Sequence, residues 1–175
     1  MALNRALREA LNPPSSGKKE LRFGSSVFRE GDKVMQIRNN YDIPWVKGKE
    51  AGLGVYNGDI GVIEEIDLHT GIVLVRMDDR VVEYTVDILD ELEPAYALTV
   101  HKAQGSEYDA VVLAALKGAP MLFNRRVLYT AITRAKSLMV IVGSRAVVEK
   151  MVQNNKVGGR YSGLKARLMR ETEDE

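Results

Sequence analysis

The chain has 175 residues, 45% of them hydrophobic and 28% charged, with a net charge of +1, which suits one ordinary domain or one domain carrying a small insert. These fractions exclude collagen-like and wholly disordered chains, and the absence of cysteine excludes disulfides, thiolate metal sites and thiol catalysis. His69 and His101 are too few for a His-rich zinc site, so no metal centre is expected.

Leu3, Leu7, Ala10 and Leu11 fall at helical spacing and predict a helix over 2–11, stopped by Pro13-Pro14. Arg5, Arg8 and Glu9 interrupt its apolar stretch, so it does not read as a secretion signal. No run of 18 apolar residues offers a membrane span, which leaves a soluble protein of the cytosol or nucleoid. Asn12 to Ser26, rich in Pro, Ser, Gly and Lys, reads as a loop. Lys33–Arg38 reads as a short strand opened by Gly31-Asp32, and 39–58 as a glycine-punctuated loop holding Trp45. Three β-rich runs follow, Ile60–Ile66, Ile72–Met77 and Val81–Val86, separated by short turn-type links. A meander of this size predicts a small barrel resembling an SH3 domain.

The rhythm then changes to α/β. Ala95–Val100 reads as a strand, His101–Gly105 as a tight turn, and Ala110–Leu116 as a strand apolar enough for the middle of a parallel sheet. Asn124 can cap a helix over 125–135. Leu138–Val142 is a second buried strand, Arg145–Gln153 a helix, and Tyr161–Met169 a last helical piece before the acidic tail 171–175.

Charge follows this division. Residues 1–50 carry a balance of +4, residues 51–100 one of −9, and residues 101–175 one of +6. An acidic middle between basic flanks indicates a separate unit inserted into a basic host. The basic flanks suit a polyanion, nucleic acid or nucleotide phosphate, or else form a solvated surface with no partner.

Two polar segments stand at expected strand ends, where open α/β sheets place ligands. Residues 98–109 (LTVHKAQGSEYD) crowd Thr99, His101, Lys102, Gln104, Ser106 and Glu107 between two apolar strands. Residues 128–135 (LYTAITRA) form the second. On a helix, Arg134 lies seven residues beyond Val127 and points within roughly 20° of it, at the border of the apolar face. Such an arginine pairs with a buried carboxylate or faces an anion in a cleft, and the residues alone favour the ion pair.

The string TVHKAQGSEYDAV resembles motif V of superfamily 1 DNA helicases, and LYTAITRA resembles their motif VI, in the expected order. GDKVMQIRNNY and VYNGDIGVI resemble the RecD-type branch, in which a small SH3-like subdomain interrupts the second RecA-like motor domain. The resemblance covers roughly residues 1–155. It implies an α/β fold, a RecA-like (P-loop NTPase-type) parallel-sheet half-motor with an inserted SH3-like β-barrel. The implied division is 1–41 and 94–170 for the motor domain, 42–93 for the insert, and 171–175 for the tail.

The same resemblance implies roles by residue. Arg134 matches the arginine that reaches the γ-phosphate of ATP, stabilising charge on the transferring group. Gln104, Gly105 and Glu107 match positions near the nucleotide. Thr99, His101 and Lys102 match the end of motif V that faces single-stranded DNA. Gln36, Asn39 and Asn40 are weaker nucleic-acid candidates at the border of the insert, and Asn57, Gly58 and Gly61 read as turn residues.

No G-x-x-x-x-G-K-[ST] loop occurs in the sequence, so the loop that cradles ATP phosphates and places Mg²⁺ is missing. The expectation is a C-terminal motor half, an excised fragment or a natural half-protein, inactive until joined by the N-terminal RecA-like domain that holds most of the ATP and Mg²⁺ contacts. Its partners would be single-stranded DNA, that N-terminal domain and a protein docked on the insert. The alternative is a non-catalytic module that binds nucleic acid or protein through the SH3-like insert.

Overall fold

The computed structural model describes residues 2–116, 118, 122–155 and 163. The expected helix over Tyr161–Met169 and the acidic tail lie outside the described residues. The chain divides into two compact units, residues 1–106 and 107–175.

The first unit opens with helix α1 (Ala2–Leu11), followed by β1 (Glu20–Phe23), β2 (Ser26–Arg29), β3 (Lys33–Gln36), β4 (Asn40–Lys47) and β5 (Glu50–Val55). Next come β6 (Ile60–Ile66), β7 (Val73–Met77), β8 (Arg80–Tyr84), a 3-10 helix (Val86–Glu91) and β9 (Leu92–Pro94). Strands β1 and β2 form a hairpin of their own, and the other seven make one antiparallel sheet in the order β5-β4-β8-β7-β6-β3-β9. Alternation writes its core: Ile63, Ile66, Val73, Val75, Met77, Val82 and Tyr84 are all buried, the inward half of strands whose outward positions include the exposed Glu64, Arg76 and Glu83.

Two segments expected as loops are hairpins. In 12–26, Leu21 and Phe23 pack against the core cluster, while Glu20 pairs with Arg29 across the ladder. In 39–58, the chain turns at Gly48 between β4 and β5. The Trp45 ring lies 2.4 Å from where a Cβ on Gly52 would stand, so the glycine reflects packing against a neighbour, not the absence of a strand. Glycine and Pro44 concealed both from a composition-based reading.

Helix α1 forms where the periodicity placed it, and it docks by the polar side next to its leucine stripe. Asn4 and Asn12 are buried while Leu3 and Leu11 are 52% and 70% exposed. Asn4, Arg8 and Asn12, four residues apart and so on one side of the helix, supply the contacts. Asn4 Nδ2 donates to the carbonyls of Pro94 and Ala97, and Arg8 and Asn12 each donate to Asp32 Oδ1 at 2.8 Å. A buried carboxylate with this many donors outweighs the burial of Leu3 and Leu11, while Leu7 is half-buried.

The second unit contains β10 (Tyr108–Ala115), α2 (Arg125–Ile132), β11 (Ala135–Gly143) and α3 (Arg145–Gln153). The strands are parallel, Val111 opposite Met139 and Leu113 opposite Ile141. Asn124 caps α2, its side chain accepting from the Val127 amide at 3.0 Å. Leu128, Ala131 and Met151 are buried. Both strands were expected to be covered on each face, yet Val112, Leu138 and Val142 are 69%, 55% and 52% exposed. Among the described residues this unit supplies two strands and two helices, too few to cover a parallel sheet.

Candidate functional site

The first polar segment begins on a clamped stretch of backbone. Expected as a strand, 95–100 runs instead through bends after β9. The Ala95 amide still donates to the Lys33 carbonyl of β3 at 2.8 Å, and beyond it the segment is held by side chains: Asn4 Oδ1 accepts from the Ala97 amide at 2.6 Å, and Tyr96 Oη donates to Asp32 Oδ1 at 3.1 Å. Burial, then the Asp32 charge, pushes the Tyr96 phenol up, which keeps it a donor.

Beyond this clamp the chain winds through a turn. The Lys102 amide donates to Thr99 Oγ1 at 3.2 Å, Ala103 N to the Thr99 carbonyl, and Gln104 N to the His101 carbonyl. Thr99, His101 and Gln104 are exposed on it. Gly105 ends it at φ +94° with no atom within 4 Å of a Cβ position, a left-handed conformation in open space. The Lys102 ammonium lies 2.6 Å from Glu93 Oε2 of β9. Thr99, Lys102 and Glu93 border a shallow cleft lined otherwise by Leu3, Asn4, Pro94, Ala97 and Leu98.

The second unit brings Glu107 and Arg134 to one end of its sheet. The Tyr108 amide donates to the Arg134 carbonyl at 2.8 Å, Tyr108 pairs with Ala135, and Lys136 Nζ stands 4.0 Å from Glu107 Oε2. These are the amino ends of β10 and β11, not the carboxyl ends where open α/β sheets usually hold ligands. Helix α2 stops at Ile132, so Arg134 sits in the turn before β11 and not on the helix as its spacing suggested. Arg134 Nε donates to the Thr130 carbonyl at 3.1 Å, and Nη2 lies 3.3 Å from Thr133 Oγ1.

The candidates at the border of the insert separate. Gln36 is fully buried. Its Nε2 donates to Glu91 Oε2 at 2.6 Å and its Oε1 accepts from Tyr84 Oη at 2.9 Å, which commits the amide to the core and leaves a strand nothing to contact. Asn39 is exposed, with Nδ2 3.3 Å from Tyr41 Oη and Oδ1 accepting from the Asn57 amide at 2.9 Å. Asn40 donates to Glu91 Oε1 at 2.9 Å. Glu93 and the α1 clamp through Asn4 were missed by motif reasoning. The signal available was the i, i+4, i+8 polar stripe Asn4, Arg8, Asn12.

A family model described as the ATP-dependent RecD-like DNA helicase SH3 domain matches residues 3–77. A second, the UvrD-like helicase C-terminal domain, matches 94–142, the stretch that contains both polar segments. The chain is 35% identical over 133 residues to the RecBCD enzyme subunit RecD of Mycobacterium tuberculosis, and 35% identical over 143 residues to the ATP-dependent RecD2 DNA helicase of Deinococcus radiodurans. The chain belongs to the RecD-like helicase family. These alignments take in 71% and 81% of this RecD-like chain but only 22% and 18% of the relatives, so it spans about a fifth of their length. A solved structure titled as the Pif1 helicase from Candida albicans is similar at a TM-score of 0.44 and 16% identity, over 85% of this chain and 46% of that one. No helix among the described residues is long and apolar enough to cross a membrane, and no group of three His, Asp or Glu side chains among them could hold a metal ion.

Proposed function

We propose that the chain is the C-terminal motor half of an ATP-dependent DNA helicase of the RecD type, working in the cytoplasm on single-stranded DNA in repair and recombination. In this reading 1–41 and 94–170 make a RecA-like half-motor, and 42–93 an SH3-like barrel inserted in it. The observation that carries the reading is that the helicase C-terminal match over 94–142 contains both segments singled out by their polar density.

Thr99, His101 and Lys102 hold strand phosphates, with Asn39, at the border of the insert, as a further contact. All but the partly buried Lys102 are exposed, and hydroxyl, imidazole and ammonium groups are the donors a phosphate backbone accepts from. Arg134, Gln104, Gly105 and Glu107 serve the nucleotide. The guanidinium of Arg134, oriented by Thr130 and Thr133 on a turn pinned to β10, suits an anionic phosphoryl group, because a planar fork of donors stabilises charge that develops there. The open space at Gly105 fits close approach of a ligand. ATP, held with Mg²⁺ mainly by a P-loop domain, supplies the phosphoryl transfer that drives movement. This chain contributes charge and strand contacts and hydrolyses nothing alone.

The test is DNA-stimulated phosphate release by the chain alone and by the chain joined to a P-loop motor domain of a RecD-like helicase. No release alone and DNA-dependent turnover in the joined protein are expected, and turnover by the 175-residue chain alone overturns the reading. A second reading, a peptide- or protein-docking module, is favoured for 42–93 by one observation. Tyr56 of this stretch and Tyr41 at its border are exposed with rings edge-to-face at 6.0 Å, and the stretch is too acidic to attract a phosphate backbone.

A further inference from the structure

Lys102 is the one cation among the proposed strand contacts, and its charge is already engaged. Its ammonium lies 2.6 Å from Glu93 Oε2, with the two side chains 34% and 35% exposed. The two partners stand on prepared supports. Glu93 is the middle residue of β9, paired opposite Met35 of β3. Lys102 sits on a turn fixed by the Asn4 clamp at Ala97 and by its own amide on Thr99 Oγ1. The pair therefore forms where the fold puts it, at the edge of the cleft lined by Leu3, Pro94, Ala97, Leu98 and Thr99.

We propose that Glu93 is an internal competitor of the strand: its carboxylate holds the Lys102 ammonium in the unbound chain and is displaced by a strand phosphate on binding. The proposal rests on the reading of Lys102 as a strand contact. An ammonium is a compact point charge that accepts carboxylate or phosphate oxygen alike, so the exchange needs no rearrangement of the turn. A pair one-third exposed is weak enough to exchange and open enough for a phosphate to reach. The Arg8–Asp32 pair, with side chains 14% and 5% exposed, is not. The consequence is a softened grip. The phosphate bound by Lys102 sheds its counterion, but Glu93, left bare, takes up a cation, so this contact adds little to the salt dependence of binding. A motor that must release each phosphate as it steps gains from such a contact.

The experiment uses the full chain and a fluorescein-labelled oligothymidylate, with anisotropy measured across salt for wild type, Glu93→Gln, Lys102→Ala and the double variant. Glu93→Gln should tighten binding up to about fivefold, the equivalent of the roughly 1 kcal/mol an exposed pair carries. It should also steepen the slope of log K against log salt by about 0.7, the share of one single-strand phosphate contact. Lys102→Ala should weaken binding, and in its background Glu93→Gln should change nothing. Tightening that persists without Lys102 makes Glu93 a bystander charge and overturns the proposal, as does Glu93→Gln binding no tighter while Lys102→Ala weakens. If Lys102→Ala binds as wild type does, or wild type binds no oligonucleotide, the strand-contact reading falls and this proposal with it. Thermal melts of the four proteins separate affinity from folding.

Discussion

Arg8 Nε donates to Asp32 Oδ1 at 2.8 Å, and Arg8 Nη2 lies 2.7 Å from Asp32 Oδ2. The pair is the centre of a polar joint. Asp32 also accepts from Asn12, Tyr96 and the Arg29 amide. Burial disfavours the Arg8 charge, but the hydrogen bond and charge of Asp32 outweigh it and raise its pKa.

Helix α1 is therefore anchored by a charged and hydrogen-bonded joint. Asp32→Ala should cost about 3–5 kcal/mol, since it strands the Arg8 charge and three further donors. Leu11→Ser, at a position 70% exposed, should stay within about 0.5 kcal/mol. Urea denaturation followed by the fluorescence of Trp45 measures both, and the reverse order of losses would mean that α1 docks by its apolar face.

Tyr84 and Gln36 form the other buried polar joint, 2.9 Å apart. Burial, then the Glu91 carboxylate, pushes the Tyr84 phenol up, so it stays protonated and donates. Tyr84→Phe should cost about 1–3 kcal/mol by leaving Gln36 Oε1 without a donor in the core. Gln36→Ala should lower stability in the same assay while leaving the strand affinity of the folded protein unchanged. A selective loss of affinity would return Gln36 to the binding surface.

Glu30 should govern part of the acid limb of stability. Its carboxylate accepts from the Lys19 amide at 3.0 Å and the Ile66 amide at 3.1 Å. Burial works against its charge, but these bonds and the Lys19 ammonium hold its pKa below the ordinary 4.5. A depressed carboxylate contributes stability that is fully present above its unfolded pKa and lost as pH falls through the folded one. The urea midpoint should therefore drop below pH 4.5 in wild type and drop less steeply in Glu30→Gln. Identical acid limbs would remove Glu30 from the account.

Strands with alternating or continuous apolar runs, such as 60–66, 73–77 and 108–115, were legible because side-chain period reports burial directly. The hairpins at 20–29 and 40–55 were not. Their glycines and Pro44 signal turns by composition, and what makes them strands is long-range: Leu21 and Phe23 meeting the core, Trp45 lying across Gly52. The apolar stripe of α1 marked the helix but not how it docks, since its partner Asp32 lies 21 residues beyond the helix end and has no periodic signature. In the site, residue types and spacing marked both polar segments, but not the backbone ties that orient them. Arg134 has its place through the Tyr108 amide, and Lys102 its charge balance through Glu93, neither visible in a linear motif.

Arg134 should act in chemistry more than in folding or strand binding. Its main chain is fixed by the Tyr108 amide and by its own amide on the Ala131 carbonyl at 3.2 Å, contacts that any side chain retains. Arg134→Ala forfeits the side-chain bonds to the Thr130 carbonyl and Thr133 Oγ1, so it should lower stability by about 1 kcal/mol while leaving the oligonucleotide affinity of this chain nearly unchanged. In the protein joined to a P-loop domain, the same change should cut ATP turnover by on the order of 10³, the scale of an arginine that stabilises a phosphoryl-transfer transition state. Lysine should not rescue it, because a point charge lacks the planar two-pronged contact. The rival account makes Arg134 a structural ion-pair partner, and then alanine should cost about 3–5 kcal/mol of stability. Thermal unfolding of the chain beside turnover of the joined protein separates the two. A large loss of stability, with residual turnover tracking only the folded fraction, would leave the catalytic assignment without support.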